Sequence, residues 1–501
     1  MIALPALSAL LAATLSLELV AVDAHAPLGA NNHARLLHKR QDAAASTGTS
    51  LAVAGTTSAA SAAATGAATS SSDAAATSAA TAATSAAAAG AASSSAVTSA
   101  AGTDAAAATS AAGAPVGTGA YDVPPLESIV ANMPSGPIPS LTTTYTAGAS
   151  PTYLKGAPAL PTPFVFSQSE WPELDKVPPT DTDQVKEWMK ELEGHDIPDI
   201  TPTQDGSCAG DPAAAAQAEE RAWWTCGGYT SGNDIVACPD KWTWGVSFDD
   251  GPATYSEKLL KYLDDKDLSA TFFVVGSRVI SYPDILIDEY MSGHEISVHT
   301  WSHHPLTSLT NEQIVAELGW TRHAIQTVLG VTPTTMRAPY GDLDNRVRAI
   351  SNAMGMRPII WTIGAGGPFD TNDWHVPAGT VTAQEQFSIF QNLLGNASLL
   401  DTGFIVLEHD LFEITVDLAV GYTLDAALSH DPAFKLEAIG KCMGIPATDM
   451  YVETNTNTSS NSSDSHSSSA AADGDKNSAA PRFVSSALAG VAAAVVLVSL
   501  L

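Results

Sequence analysis

Two adjacent carboxylates, Asp249 and Asp250, close the apolar run 242–248 and are followed at once by Gly251-Pro252. Side chains alternate across an extended segment, so neighbouring Asp residues point to different sides and can take different tasks. One can hold a cation while the other faces a substrate or water. Asp-Gly-Pro on its own is also ordinary turn chemistry. Further along, His299-Thr300-Trp301-Ser302-His303 sets two imidazoles four positions apart after a second apolar run. On one helical turn that spacing puts both rings on one face. Two imidazoles and a carboxylate form a normal zinc shell that leaves a coordination position open. A lone pair of this spacing is more often a surface or hydrogen-bonded core pair. His294 and His304 fit no such geometry and read as structural.

These residues need elements to hold them. Between about 168 and 445 short apolar or β-branched runs alternate with stretches of helical period. Strands are expected at 242–248, 270–275, 295–300, 335–338, 358–363 and 404–407, and helices at 256–263, 284–291, 311–329, 344–354 and 383–394. Alternating β and α over this length argues for an α/β fold of parallel strands with crossover helices, either a barrel or a doubly wound sheet. Asp249, Asp250, His299, Tyr340 and His409 all fall at or just past an expected strand end. That placement favours the barrel, although a doubly wound sheet also binds ligands there.

Three more pieces follow: Arg337-Ala338-Pro339-Tyr340, Asp370-Thr371-Asn372-Asp373-Trp374 and Ile405-Val406-Leu407-Glu408-His409. Singly, each reads as a strand end or turn. Together and in this order, the five pieces resemble the motifs of the polysaccharide deacetylases, carbohydrate esterase family four, also called the NodB-homology domain. The resemblance covers about 242–410 and implies a distorted (β/α) barrel, which composition expects to be flanked by disordered Ser/Thr/Ala-rich segments. It implies one divalent metal ion, zinc or cobalt, on Asp250, His299 and His303; such an ion acidifies water and polarises an acetyl carbonyl. By the same resemblance Asp249 is the general base and Arg337 holds and orients it. The backbone N–H of Tyr340 would stabilise the oxyanion, and His409 would protonate the departing amine. Asp373, ahead of Asp370, would pair with His409, while Trp374 and Leu407 would line the acetyl pocket. Ser247 stands where family members commonly carry Thr, a change without chemical consequence.

Most of the remaining chain is of another character. The segment 43–120 is almost wholly Ala, Ser, Thr and Gly, and cannot bury enough to offset its ordering entropy. Prolines from Pro124 to Pro163 then mark an extended connector, so 41–167 reads as an O-glycosylated stalk. Residues 1–24 read as a secretion signal, and Lys39-Arg40 as a dibasic processing site that removes a propeptide, 25–40. A Ser/Thr/Asn-rich linker is expected at 446–477. Beyond it, small residues from Asn477 and a terminal apolar run at 478–501 read as a GPI-attachment signal, with Asn477 as the attachment site. Asn396, Asn457 and Asn461 head glycosylation sequons. Cys208, Cys226, Cys238 and Cys442 read as two disulfides with three connectivities open. The chain-entropy argument favours Cys226 with Cys238 and Cys208 with Cys442, since the latter closes the longest loop.

A net charge of −31, from 22 basic against 53 acidic residues, excludes a phosphate backbone as partner. The layout of signal, stalk and anchor resembles that of fungal chitin deacetylases at the cell surface. Chitin, a polymer of N-acetylglucosamine, is the substrate this implies, with a GPI lipid joining the enzyme to the membrane and cell-wall glycan nearby. An O-acetyl esterase on another wall polysaccharide and a non-catalytic chitin-binding surface protein are the alternatives. Trp223, Trp224, Trp301 and Trp374 are candidates for sugar stacking, with core packing the expected fate of most of them.

Overall fold

The computed structural model describes residues 121–141 and 143–455. The signal, the propeptide, the Ala/Ser/Thr tract, the sequons at Asn457 and Asn461 and the attachment site at Asn477 lie outside them. Among the described residues no helix is long and apolar enough to cross a membrane.

The strand β1, Thr243–Asp249, is buried along its whole length, as its apolar and β-branched residues require of a strand covered on both faces. It pairs in parallel with β2, Thr271–Val274, which pairs with β3, Glu295–Val298. Next come β4, Thr335–Met336, and β5, Arg357–Pro358, also parallel. A small antiparallel hairpin, β6 Ile363–Gly364 and β7 Gly367–Pro368, leads toward β8, Phe404–Ile405, which returns to the other side of β1. The last strand, β9 Lys435–Ala438, also pairs with β1, below its contact with β2. The sheet order is β5-β4-β3-β2-β1-β8, with β9 on β1.

Between β5 and β8 irregular backbone replaces regular strand. Thr362 N–H donates to Ile405 O at 3.0 Å, Phe369 N–H to Thr362 O at 2.8 Å and Leu407 N–H to Phe369 O at 2.9 Å. These bonds close the distorted (β/α) barrel. The expected strand 358–363 is therefore split, because its second half serves this seam. Crossover helices wrap the outside, among them Ser256–Asp265, Pro283–Met291, Asn311–Leu329, Asn345–Ala353 and Ala383–Ala397. The Asn311–Leu329 helix begins with a capping box between Thr310 and Gln313 and ends on left-handed Gly330, so its ends are written in the sequence.

Three expectations are corrected. The disulfides are Cys208–Cys226 and Cys238–Cys442. The entropy argument chose the longest loop, whereas β9 lies against β1 and so brings Cys442 beside Cys238. The Pro-rich segment does not stand off as a stalk over its described part: Val123, Leu154 and Leu160 are buried in the main core, and Ile129 and Met133 pack on Val376, Ile414 and Leu418. At the other end Met450 and Tyr451 are also buried, and Tyr451 Oη accepts from Ile296 N–H at 3.0 Å, so the folded unit continues past residue 445. Short apolar runs amid proline and glycine carried too little periodicity to show this.

Candidate active site

The carboxyl ends of β1, β3, β4 and β8 open on one rim of the barrel; Asp249, Asp250, His299, His303, Arg337, Tyr340, Leu407 and His409 lie on the segments that end there, and Asp373 and Trp374 in the adjoining seam. Asp249 is the last residue of β1, held between β2 and the β8 extension by its N–H to Glu408 O at 2.9 Å. That pairing sets His409 opposite Asp249.

Asp250 turns away in a left-handed conformation, φ 80°, and its N–H reaches Phe273 O at 3.1 Å. A side chain at Gly251 would lie 2.5 Å from Asp410 Oδ2, so only glycine lets the loop pass. The imidazoles approach Asp250 from a loop rather than the helical turn expected from their spacing. Thr300 and His303 both have positive φ, 66° and 58°, and this double reversal brings the two rings to 5.0 Å. Such backbone is unfavourable for β-branched Thr and persists only where the surroundings enforce it. Here Glu317, rising from the Asn311–Leu329 helix, accepts from Trp301 N–H at 2.8 Å and Ser302 N–H at 2.9 Å.

Asp250, His299 and His303 each offer one ligand atom within 4.8 Å of the others. His303 Nε2 lies 2.9 Å and His299 Nε2 3.4 Å from Asp250 Oδ1. His299 Nδ1 lies 2.8 Å from Arg337 O, which can only accept, so this nitrogen carries the proton. In the neutral ring Nε2 is then an acceptor facing another acceptor, Asp250 Oδ1. A cation between them makes that arrangement favourable. With two nitrogens and one carboxylate the donor set fits a zinc-like divalent ion. His303 Nδ1 is tied in turn to Tyr340 Oη at 3.2 Å, an outer contact that orients a ligating ring.

Two arginines stand behind the Asp pair. Arg337, fully buried, donates from Nη1 to Asp249 Oδ1 at 2.6 Å and to Ser247 Oγ at 3.0 Å, with its guanidinium 3.9 Å from the centre of the Phe273 ring. Burial lowers the pKa of this guanidinium, and Asp249 offsets only part of the loss. The Ser247 hydroxyl also donates to Val406 O at 3.3 Å, work that either Ser or Thr can do. Arg278, just past β2, donates to Asp250 O at 2.7 Å.

His409 Nδ1 lies 2.7 Å from Asp373 Oδ1, and the same carboxylate accepts the His409 N–H through Oδ2 at 2.8 Å. Asp370 is engaged elsewhere, accepting from Asn372 N–H at 2.8 Å. The His409 pKa stands at about 10: burial alone would lower it, but Asp373, with Asp250 and Asp249 beyond, outweighs burial. Tyr340 is left-handed, φ 59°, and its phenol pKa is raised by burial and by Asp250. Leu407 is buried in the seam, and the half-buried ring of Trp374 stacks on His375 at 3.5 Å.

Trp223, Trp224 and Trp301 are buried, as core packing demands. His294 is also core: its Nδ1 accepts from Ala270 N–H at 3.2 Å, and burial lowers its pKa to about 4. Arg278 and Glu317 escaped the sequence reading. Each left a signal, a charge inside an apolar stretch: Glu317 among Ile314, Val315, Ala316 and Leu318, and Arg278 between Val275 and Ile280.

The family model for polysaccharide deacetylase matches residues 237–359. The chain is also 48% identical over 344 residues to chitin deacetylase 1 of Cryptococcus neoformans var. grubii, spanning 68% of this chain and 72% of that protein. This chain belongs to the polysaccharide deacetylase family. Chitin deacetylase 1 of Saccharomyces cerevisiae is 30% identical over 291 residues, 58% of this polysaccharide deacetylase and 88% of the yeast protein. The solved chitin deacetylase of Colletotrichum lindemuthianum aligns with 45% of this chain and 98% of its own at 26% identity, with a TM-score of 0.39. As a member of this family the chain is a hydrolase, and the Asp250, His299 and His303 group lies within the matched region.

Proposed function

We propose that this polysaccharide deacetylase hydrolyses the N-acetyl groups of N-acetylglucosamine units in chitin, giving chitosan and acetate. The observation that carries the reading is a base-side pair, Asp249 with Arg337, and an acid-side pair, His409 with Asp373, on neighbouring strand ends beside one candidate metal group. Similarity to proteins named chitin deacetylase supports the substrate.

In this reading Asp250, His299 and His303 hold one divalent ion, zinc or cobalt. When bound, the ion supplies Lewis acidity toward the acetyl carbonyl and toward water. Asp249 removes the proton from the attacking water, with Arg337 fixing the carboxylate in line. The Tyr340 N–H donates to the carbonyl oxygen as it gains charge. His409 then gives its proton to the departing amine, and Asp373 keeps the imidazole charged and turned to it. Trp374 and Leu407 enclose the acetyl methyl.

The test is acetate release from defined chitin oligomers and from acetylated xylan, before and after chelation and with zinc or cobalt restored. Release from chitin that stops on chelation and returns with metal is the expected result; release from xylan alone would overturn the substrate. We also propose export to the cell surface, a GPI anchor near Asn477 and glycans at Asn396, Asn457 and Asn461, on the strength of the sequence signals. Release of the protein from membranes by a phosphatidylinositol-specific phospholipase checks the anchor.

A further inference from the structure

The segment 126–139, expected as part of a free stalk, is fastened to the loops that carry the site. Its amphipathic start buries Ile129 and Met133 against Val376, just past Trp374, and Ile414, just past His409. Its next turn is clamped on both sides of one residue. Gly136 N–H is shared by the two carboxylate oxygens of Glu413, at 2.9 and 3.2 Å, and Gly136 O accepts from Tyr255 Oη at 3.2 Å. Glu413 is buried and follows His409 closely; Tyr255 lies in the loop that leaves β1 through Asp250. A Cβ at position 136 would lie 2.7 Å from Glu413 Oε1, so the clamp is shaped for glycine.

Tyr255 lies in the loop that follows β1 and Asp250, Val376 in the short helix that follows Trp374, and Glu413 and Ile414 in the helix that follows His409, so each anchor sits on a segment leaving the rim on which the site opens. Pro134, Pro137 and Pro139 restrict the backbone on either side of the clamp, so this stretch is stiff before any ligand arrives. Residues 129–139 hold no charged side chain, and Ile138 presents 56% of its surface to solvent. A neutral, rigid ledge with an exposed aliphatic group suits the apolar face of a neutral sugar ring, not an ionic ligand.

We propose that the clamped segment 133–139 is a wall of the glycan cleft, contacting sugar units that flank the one being deacetylated. By adding contacts beyond the reacting unit, this wall would make longer oligomers bind better than the dimer. This rests on the chitin reading above. Its test uses the whole mature protein with Ile138→Ser, which alters only the exposed face, and Glu413→Ala, which opens the clamp.

Acetate release is measured on chitin oligomers from dimer to hexamer, and hexamer binding to the chelated protein is measured by calorimetry. Loss of one apolar contact should raise KM for the hexamer and weaken its binding about 5-fold in each variant. The kcat values and the dimer KM should stay within about 2-fold of wild type. Equal effects on every length, or unchanged hexamer binding with Ile138→Ser, would overturn the proposal. If Glu413→Ala does not fold, Ile138→Ser decides alone. If the wild type binds chitin oligomers but releases no acetate, the functional reading fails while calorimetry still tests the wall.

Discussion

Asp373 holds His409 twice, by the ring at Nδ1 and by the backbone N–H, so one carboxylate fixes both the position and the charge of the imidazole. Position and protonation are coupled through a single side chain. Asp373→Asn separates them, because the amide can keep one hydrogen bond but carries no charge.

Without that charge the remaining influences include burial, which lowers the His409 pKa from its present value of about 10. The imidazole then loses its proton at lower pH, so the alkaline limb of the pH–rate profile should move to lower pH. At neutral pH kcat should fall about 100-fold, the scale of general-acid catalysis. Steady-state kinetics across pH check both outcomes.

Asp249 and Arg337 are both buried, and removing either has a different cost. Asp249→Asn should lower kcat about 100- to 10,000-fold with little change in KM, as expected for a lost general base. Arg337→Met strands a buried carboxylate and should destabilise the fold by about 3–5 kcal/mol. Denaturant unfolding measures the second, and a double variant should restore part of the lost stability.

The candidate metal group depends on outer contacts as well as on ligands. Tyr340→Phe removes the partner of His303 Nδ1, and Arg278→Met removes the donor to Asp250 O. Each should weaken zinc binding about 10- to 100-fold, the usual effect of losing an outer-shell contact. Competition with a chromophoric chelator measures this independently of turnover.

The two disulfides close loops of very unequal length, with sequence separations of 18 and 204. In the chain-entropy model the longer one stabilises by about 2 kcal/mol more. Replacing Cys238 and Cys442 with Ala should therefore lower the unfolding midpoint further than replacing Cys208 and Cys226, a comparison that denaturant titration makes directly.

The site was legible because its residues terminate strands, and strand ends follow from apolar runs that stop at charged or turn residues. Asp249, His299 and His409 are each found this way, and the capped helix Asn311–Leu329 has the bounds its sequence implies. What the sequence hid was non-local. The conformations that aim His299 and His303 depend on Thr300 being held with positive φ by the surrounding fold, including a glutamate on a distant helix. β9 is a four-residue strand whose place is decided by its contact with β1, and with it went the cysteine pairing. The clamp on Gly136 joins residues far apart in sequence, which no periodic pattern can announce.

Cys238 precedes β1 and Cys442 follows β9, so their bond encircles every strand of the barrel and every residue proposed to act in the site. A protease that cuts within this covalent ring, for instance beside exposed Ile363 in the hairpin, severs the chain without separating its halves. After such a cut, a nicked molecule would keep both aspartates and all three histidines on one tethered body, and would come apart only when reductant and denaturant act together.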